Sequence, residues 1–461
     1  MAKKLNDLLK SLNIVSDDER IINFVTSKVE KTNQNTLYVA IERKNHILIE
    51  DIKVAKENGA IVIASEYGDY EYNDCIYAYG VLLHALNNFP CCNFKVIGVT
   101  GTNGKTTVSS YLYQMFVQLN KKALLIGTNG IIYKNIKEET LNTTPSQEIL
   151  AKWFLFAKEN QVEYIVMEVS SIGIHQKRLA GIQFDYMVVT NVTEDHLDYH
   201  KSVFEYQRCK YQAFNYLKSD GVGIINTDSS LLRMWASELK CKVIEYNMHM
   251  LDIVELRLKE SFFTFNEFLI HTNQVAKCNV YNLCACICVL KDLRFSHHEI
   301  TKVCRNLLPV EGRFQLVHEE PFVIIDYAHT EDALFQILSF YIRVKKGKIV
   351  LVFGCGGNRD ILKRPKMGKV ACDLADVVII TEDNSREENV ENIIKDIVSG
   401  CNGKEKIIYS RQQAIKYALT NVDNSDIIII AGKGNERYLV NNNGYVPLSD
   451  VDIINEFYKG R

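Results

Sequence analysis

A lysine followed by two threonines, set at the end of a glycine-punctuated turn, is the part of this chain best equipped to handle a phosphate. The stretch reads Val96-Ile97-Gly98-Val99-Thr100-Gly101-Thr102-Asn103-Gly104-Lys105-Thr106-Thr107. Its first five residues have strand character. The residues from 108 to 119, with Tyr111, Met115 and Leu119 on one spacing, predict a helix. In a strand, glycine loop, Lys-Thr, helix arrangement, backbone N–H groups and the positive helix end point at an anion. Lys105 then reaches the terminal phosphates, and Thr106 offers a hydroxyl to Mg²⁺. The general spacing G-x-x-x-x-G-K-[ST] would place glycine where this chain has Val99, and Gly101 stands closer to Gly104. The loop is therefore a shortened variant of the usual cradle.

Other polar residues cluster where apolar runs end. Glu168-Val169-Ser170-Ser171 ends one run, and Thr190-Asn191-Val192-Thr193-Glu194-Asp195-His196-Leu197-Asp198 ends the next. Further on come Gly354-Cys355-Gly356-Gly357-Asn358-Arg359-Asp360, Asp383-Asn384-Ser385-Arg386 and Gly432-Lys433-Gly434-Asn435-Glu436. In open parallel sheets ligands sit beyond the C-terminal ends of the strands. A carboxylate, a histidine and a phosphate loop at three such ends predict one Mg²⁺–nucleotide site. Arg359 and Arg386 can each grip a carboxylate through a bidentate fork.

The elements that must position these residues are strands alternating with helices. Strands are expected at 96–100, 123–126, 164–169, 186–192 and 222–226, and again at 322–326, 348–354, 376–381, 406–409 and 426–432. The alternation predicts an α/β chain of three domains. A small N-terminal α/β domain spans 1–88, a central P-loop domain with a doubly wound, mostly parallel sheet spans 89–311, and a C-terminal Rossmann-like α/β domain spans 312–461. A chain of 461 residues with 47% apolar and 24% charged residues has room for several cores. A net charge of −2 gives no reason to expect a nucleic acid or an anionic membrane as partner. The lack of any apolar run of spanning length predicts a cytoplasmic protein, and a monomer acting on small molecules is expected. The 13 cysteines are scattered without a C-x-x-C pair, and Cys284, Cys286 and Cys288 alternate in an apolar segment. They read as buried small hydrophobes, with neither zinc nor a disulfide expected.

Taken together, these motifs resemble the Mur ligases, and most closely the MurE type, which joins an amino acid to a UDP-linked muramoyl dipeptide. The resemblance rests on 101–107, on Glu168-Val169-Ser170-Ser171 and on Asp195-His196-Leu197-Asp198-Tyr199-His200. It rests also on Asp326-Tyr327-Ala328-His329-Thr330 and on 354–360 followed by Lys363-Arg364-Pro365-Lys366-Met367-Gly368. It covers the chain from about residue 95 to 438 and is weak before that. It implies a ligase using ATP and Mg²⁺ through an acyl-phosphate intermediate in peptidoglycan synthesis. By matched positions, Gly101, Thr102, Asn103, Gly104, Lys105, Thr106, Thr107, Asn282, Arg313 and Asp326 would hold ATP. Thr106, Glu168, His196 and a carbamylated Lys210 would hold metal. Lys105, Glu168, His196 and Lys210 would carry catalysis. Ser27, Thr143, Thr144, Ser170, Gln176 and Arg178 would meet the UDP-linked substrate. Arg359, Asp383, Asn384, Arg386, Gly432 and Glu436 would meet the added amino acid.

Arg386 points to the amino acid, because diaminopimelate carries a distal carboxylate that lysine lacks, and members adding diaminopimelate keep Asp-Asn-Pro-Arg. This chain departs from the pattern at Ser385, at Asn435 in place of histidine, at Ile172 and at Glu331. Near the start it keeps only Thr26-Ser27-Lys28 where Asp-Ser-Arg is usual, and the loop at 42–46 looks shortened. Alternative readings are addition of L-lysine, a related ligase joining another acid and amine, and a non-catalytic nucleotide-binding regulator. Retention of Lys105, Glu168, His196 and Lys210 together speaks against the regulator.

Overall fold

Three mainly parallel sheets, each wrapped by helices, follow one another along the chain. The computed structural model describes residues 2–42 and 48–459, so the loop expected at 42–46 lies almost wholly outside the described residues. The first sheet pairs Phe24–Thr26, Thr36–Val39, Ile61–Ala64 and Tyr70–Glu71, all in parallel. The second has eight strands. Six of them run parallel in the order Ala123–Gly127, Tyr164–Glu168, Lys95–Thr100, Phe184–Val189, Leu217–Asn226 and Lys242–Tyr246. An antiparallel hairpin, Gly130–Tyr133 with Ile136–Glu138, extends one edge. The third sheet orders Gln315–Glu319, Phe322–Asp326, Ile427–Ala431, Ile349–Phe353, Val377–Ile380 and Glu405–Ile407, of which only the first is antiparallel. The chain is α/β throughout, as the alternation of runs predicts.

The phosphate-loop strand lies in the middle of the second sheet, buried on both faces. Successive side chains of a strand point to opposite sides, so Ile97 and Val99 enter one core while Val96 enters the other. The first core takes in the helix Lys105–Gln118 and the helix Lys277–Asp292; the second takes in Trp153, Phe154 and Trp235. Cys284, Cys286 and Cys288 are buried in the first core, and the segment that reads as alternating is helical. All 13 cysteines are free.

Several elements escape the sequence reading, among them the strand Lys242–Tyr246 and the hairpin at 130–138, and two more are antiparallel. A three-stranded antiparallel sheet (Leu251–Leu256, Ser261–Phe265, Phe268–Thr272) packs Phe263, Phe265, Phe268 and Ile270 into the first core. The other is a hairpin, Tyr438–Asn441 with Gly444–Pro447, beside the polar strand ends of the third sheet. Both are antiparallel, and their strands run only four to six residues, so each carries few turns of a period-two pattern. Among the described residues no helix is long and apolar enough to cross a membrane.

The C-terminal helix Asp450–Lys459 is fixed to the third sheet by a buried ion pair. Arg411 donates from Nε and a terminal nitrogen to the two oxygens of Asp450 at 2.9 and 2.8 Å, and from its fork to Ala431 O at 2.9 Å. Both side chains are fully buried. Removing one partner of such a pair leaves an uncompensated charge. Asp450→Ala should therefore cost about 3–5 kcal/mol of stability, read from the urea midpoint.

Candidate active site

Gly101 leaves the phosphate-loop strand at φ +146°, and Gly104 enters the helix at φ +88°. A Cβ on Gly101 would stand 1.9 Å from Thr190 Oγ1, and one on Gly104 would stand 2.6 Å from Asn282 Oδ1. Both conformation and space therefore demand glycine. The loop is moulded to the next strand end: Asn103 N–H donates to Asn191 Oδ1 at 2.9 Å, and Thr190 Oγ1 donates to Asn103 O at 2.6 Å. Thr102 Oγ1 bonds both Thr193 O and Tyr206 Oη.

Two lysines, Lys210 buried and Lys105 part-buried at the cavity wall, meet over this loop. Lys105 Nζ donates to Gly101 O at 2.9 Å and Thr102 O at 2.8 Å, and Lys210 Nζ donates to the same Gly101 O at 2.7 Å. Burial lowers the Lys105 pKa, with Arg313 adding to the effect and Glu168 and Asp195 opposing it. Burial, then the charge of Lys105, pushes Lys210 well below the ordinary lysine value. Lys210 is 1% exposed and reads from sequence as a surface residue; the face of the helix Val203–Tyr211 that carries it turns inward.

Glu168 supplies the opposite charge at the end of its strand, also 1% exposed. Its Oε2 accepts from Thr106 Oγ1 at 2.9 Å and Thr128 Oγ1 at 3.1 Å, and its Oε1 accepts from Thr128 N–H at 2.8 Å. Gly127 makes room, since a Cβ there would sit 2.3 Å from Glu168 Oε1. Thr128 was not singled out from sequence; the glycine closing its strand is the signal that could have found it. Asp195 is a second residue missed as a site member. Burial raises its carboxyl, but His196, His329, Lys363 and the His196 amide more than offset this and hold it at about 2. His196 takes a left-handed backbone (φ +54°) that puts its ring 3.5 Å from Asp195 Oδ2, and burial lowers its pKa.

The far wall comes from the start of the third sheet. Arg313 lies 4.2 Å over the Tyr327 ring and reaches Thr106 Oγ1 at 3.4 Å. Asp326 accepts the N–H groups of Phe314 and Ala328 at 2.8 and 2.7 Å, and burial raises its pKa. His329 is driven down to about 3 by burial and so stays neutral. These walls enclose a cavity of about 600 Å³ lined by Thr102, Asn103, Gly104, Lys105, Thr106 and Thr107 and by Glu168, His196, Lys210, Asn282, Arg313 and Asp326. Thr143 and Ser170 line it as well. Thr144 sits just behind, its hydroxyl donating to Glu168 O and accepting from Ser170 N–H. Arg178 donates to Thr144 O and Gln176 Oε1. Ser27 stands apart, buried beside the first sheet.

The remaining residues form a separate cluster on the third sheet. Asn384 Nδ2 donates to Glu436 Oε2 at 2.7 Å, and buried Lys433 donates to Asn384 Oδ1 and Glu436 Oε2 at 3.2 and 3.0 Å. Gly432, at φ +108°, leaves space that Asp383 Oδ2 fills. Arg386, also left-handed at φ +54°, donates from one nitrogen to Gly357 O and Asn384 O, and burial followed by the Arg359 charge lowers its pKa. Arg359 extends to Asp198 at 3.5 Å. Tyr327 links the two clusters, lining the cavity and donating to Glu436 at 3.4 Å.

Hard oxygen donors and two lysines around a glycine loop suit a metal–nucleotide. Models of known families agree. The Mur ligase middle domain matches residues 99–290, and the Mur ligase glutamate ligase domain matches 312–434. A UDP-N-acetylmuramoyl-L-alanyl-D-glutamate–2,6-diaminopimelate ligase of Helicobacter pylori is 36% identical, over 81% of this chain and 86% of its own. One from Buchnera aphidicola subsp. Schizaphis graminum is 32% identical over 98% of this chain and 95% of its own, which includes the first sheet, where the motifs are weakest. A solved structure bearing the same ligase name aligns over 100% of this chain and 99% of that one, with a TM-score of 0.71 at 26% identity. The chain belongs to the Mur ligase family.

Proposed function

We propose that this chain is the ligase that joins 2,6-diaminopimelate to UDP-N-acetylmuramoyl-L-alanyl-D-glutamate, with ATP converted to ADP and phosphate. The observation that carries this reading is the pair of arginines on the third sheet, facing across Tyr327 from a cavity with the charges of an ATP site. A carboxylate oxygen of the muramoyl dipeptide attacks the terminal phosphorus of ATP, ADP leaves, and an acyl phosphate forms. The amine of the amino acid then adds to the acyl carbon, phosphate leaves, and an amide remains. Both reactants of the first step are anions, so the site must neutralise charge before it can do chemistry.

Each residue has a task in that sequence. Lys105, now turned onto two carbonyls, swings to the terminal phosphates, and the amides of 101–107 take the bridging oxygens. Arg313 covers the transferring group from the opposite wall, while Asn282 and Asp326 orient the nucleoside. The hydroxyl of Thr106 and carboxylate of Glu168, 2.9 Å apart, are hard donors of the kind Mg²⁺ prefers, and these two would hold one ion. His196 and Lys210 would hold a second. As an ammonium Lys210 has no lone pair to give, yet its depressed pKa yields the neutral amine that adds CO₂, releasing a proton to become a carbamate. Bound Mg²⁺ supplies charge neutralisation between phosphate and carboxylate. Thr143, Thr144, Ser170, Gln176 and Arg178 line the approach of the muramoyl dipeptide, and Ser27 its uridine end.

Arg386 gives the amino-acid preference. Its Nε and second terminal nitrogen make no hydrogen bond among the described residues, so two donors stand ready for a distal carboxylate. Phosphate release should require diaminopimelate; turnover with lysine and not diaminopimelate would overturn this part of the reading. Lys105→Ala should lower kcat by about 10²–10³-fold or more, with near-normal turnover refuting the site. Arg386→Ala should raise the KM for diaminopimelate by roughly 10–100-fold, the worth of a charge-assisted pair, while the ATP KM stays within about twofold.

A further inference from the structure

Two cysteines far apart in sequence come together on the third sheet, away from the cavity. Cys372 lies in the last turns of the helix Lys363–Leu374, Cys401 follows the helix Val390–Val398, and Glu405 opens the edge strand Glu405–Ile407. The two sulfurs and a carboxylate oxygen all lie within 4.8 Å of one another. Close backbone packing holds them there. A Cβ on Gly368 would stand 2.1 Å from Ile397 O, and one on Gly400 would stand 1.8 Å from Pro365 O. Gly368 is one helical turn before Cys372, so that turn and the one ending in Cys401 touch without intervening side chains. Cys401 Sγ donates to Gly368 O at 3.5 Å. Gly403 N–H fixes the Glu405 carboxylate at 3.1 Å, and that carboxylate makes no ion pair among the described residues.

We propose that Cys372, Cys401 and Glu405 form a binding site for a thiophilic divalent cation of the zinc or cadmium class, separate from the Mg²⁺–nucleotide site. Two thiolates and one carboxylate are the ligand set of a soft to borderline ion, and they select against Mg²⁺. Three protein ligands leave a fourth tetrahedral position to water. Burial, then the neighbouring Cys372 and Glu405, raises the Cys401 pKa, because each group disfavours negative charge on the next. A divalent cation reverses the sign of that interaction. Binding replaces the two thiol protons with the metal, so protons leave as the ion enters, and affinity falls as pH falls. The bound ion would tie two helix ends to the edge of the third sheet.

The test uses the reduced full chain without nucleotide. Cadmium titration, followed through the thiolate-to-metal charge-transfer band, should saturate near about one ion per chain, and calorimetry should show about two protons released. Zinc should displace cadmium, and magnesium should not. Cys401→Ser and Cys372→Ser should abolish the band, whereas Cys241→Ser, elsewhere on the molecule, should keep it. Glu405→Gln keeps both sulfurs and removes no packing. It should weaken cadmium binding by roughly 10–100-fold, since even indirect partners of a metal site cost that much. The absence of a band in the reduced wild-type chain overturns the proposal. So does a band that persists in both serine variants, or unchanged affinity in Glu405→Gln.

Discussion

Two lysine amines share one carbonyl oxygen, and the site is built around that crowding. Lys105 and Lys210 both donate to Gly101 O, and the charge of Lys105 helps drive the Lys210 pKa down. Lys210 is buried, and Lys105 lines the cavity. Glu168 and Asp195 oppose the lowering at Lys105, and Asp195 opposes it at Lys210; the phosphates and carboxylates of the proposed substrates would add to them. In the proposed reaction the triphosphate would meet a Lys105 already stripped of part of its water, so part of the desolvation cost is met in folding. The glycines at 101 and 104 follow from the same requirement, since only a bare backbone lets the carbonyls, the two strand ends and Asn282 approach so closely.

Much of this was legible in the sequence because parallel sheets concentrate polar residues at strand ends. An apolar run that stops at Glu168 or at Thr190-Asn191 announces where its strand leaves the core, and Lys105-Thr106 after glycine announces an anion. Thr128 was harder to see. A threonine after glycine is common, and only the fold shows that its N–H and hydroxyl both serve Glu168. Lys210 was legible only through family resemblance, as its helix has a weak apolar stripe and its partner, Gly101 O of the phosphate loop, is far away in sequence. The antiparallel meander at 251–272 was missed for a different reason: its core residues answer a helix surface rather than a sheet, so local pattern carries little of the information.

The proposed cysteine site would meet the same limit from the other side. Spacing along the chain argued against a metal, since no two cysteines form a C-x-x-C pair. Spacing in the fold is set by helix packing, and Gly368 and Gly400 are what let Cys372 and Cys401 converge. Local sequence rules detect metal sites built on one turn or hairpin; sites assembled from two helix ends and an edge strand leave no such trace.

The cleft between the second and third sheets must also open to admit three reactants. The ion pairs that cross it are exposed: Arg359 with Asp198 at 3.5 Å and Lys366 with Glu194 at 3.4 Å. Exposed pairs are worth about 0–1 kcal/mol each, so they steer the two walls together without locking them. The wall residues Arg313, Tyr327 and Asp326 are held by the third sheet itself, through Asp326 and its two backbone donors. Opening can therefore carry that wall away as a unit, while Lys105, Glu168 and Lys210 keep their mutual geometry on the second sheet. In the proposed reaction, the charges assigned to activating the carboxylate stay with one body, and the arginines assigned to selecting the amine travel with the other.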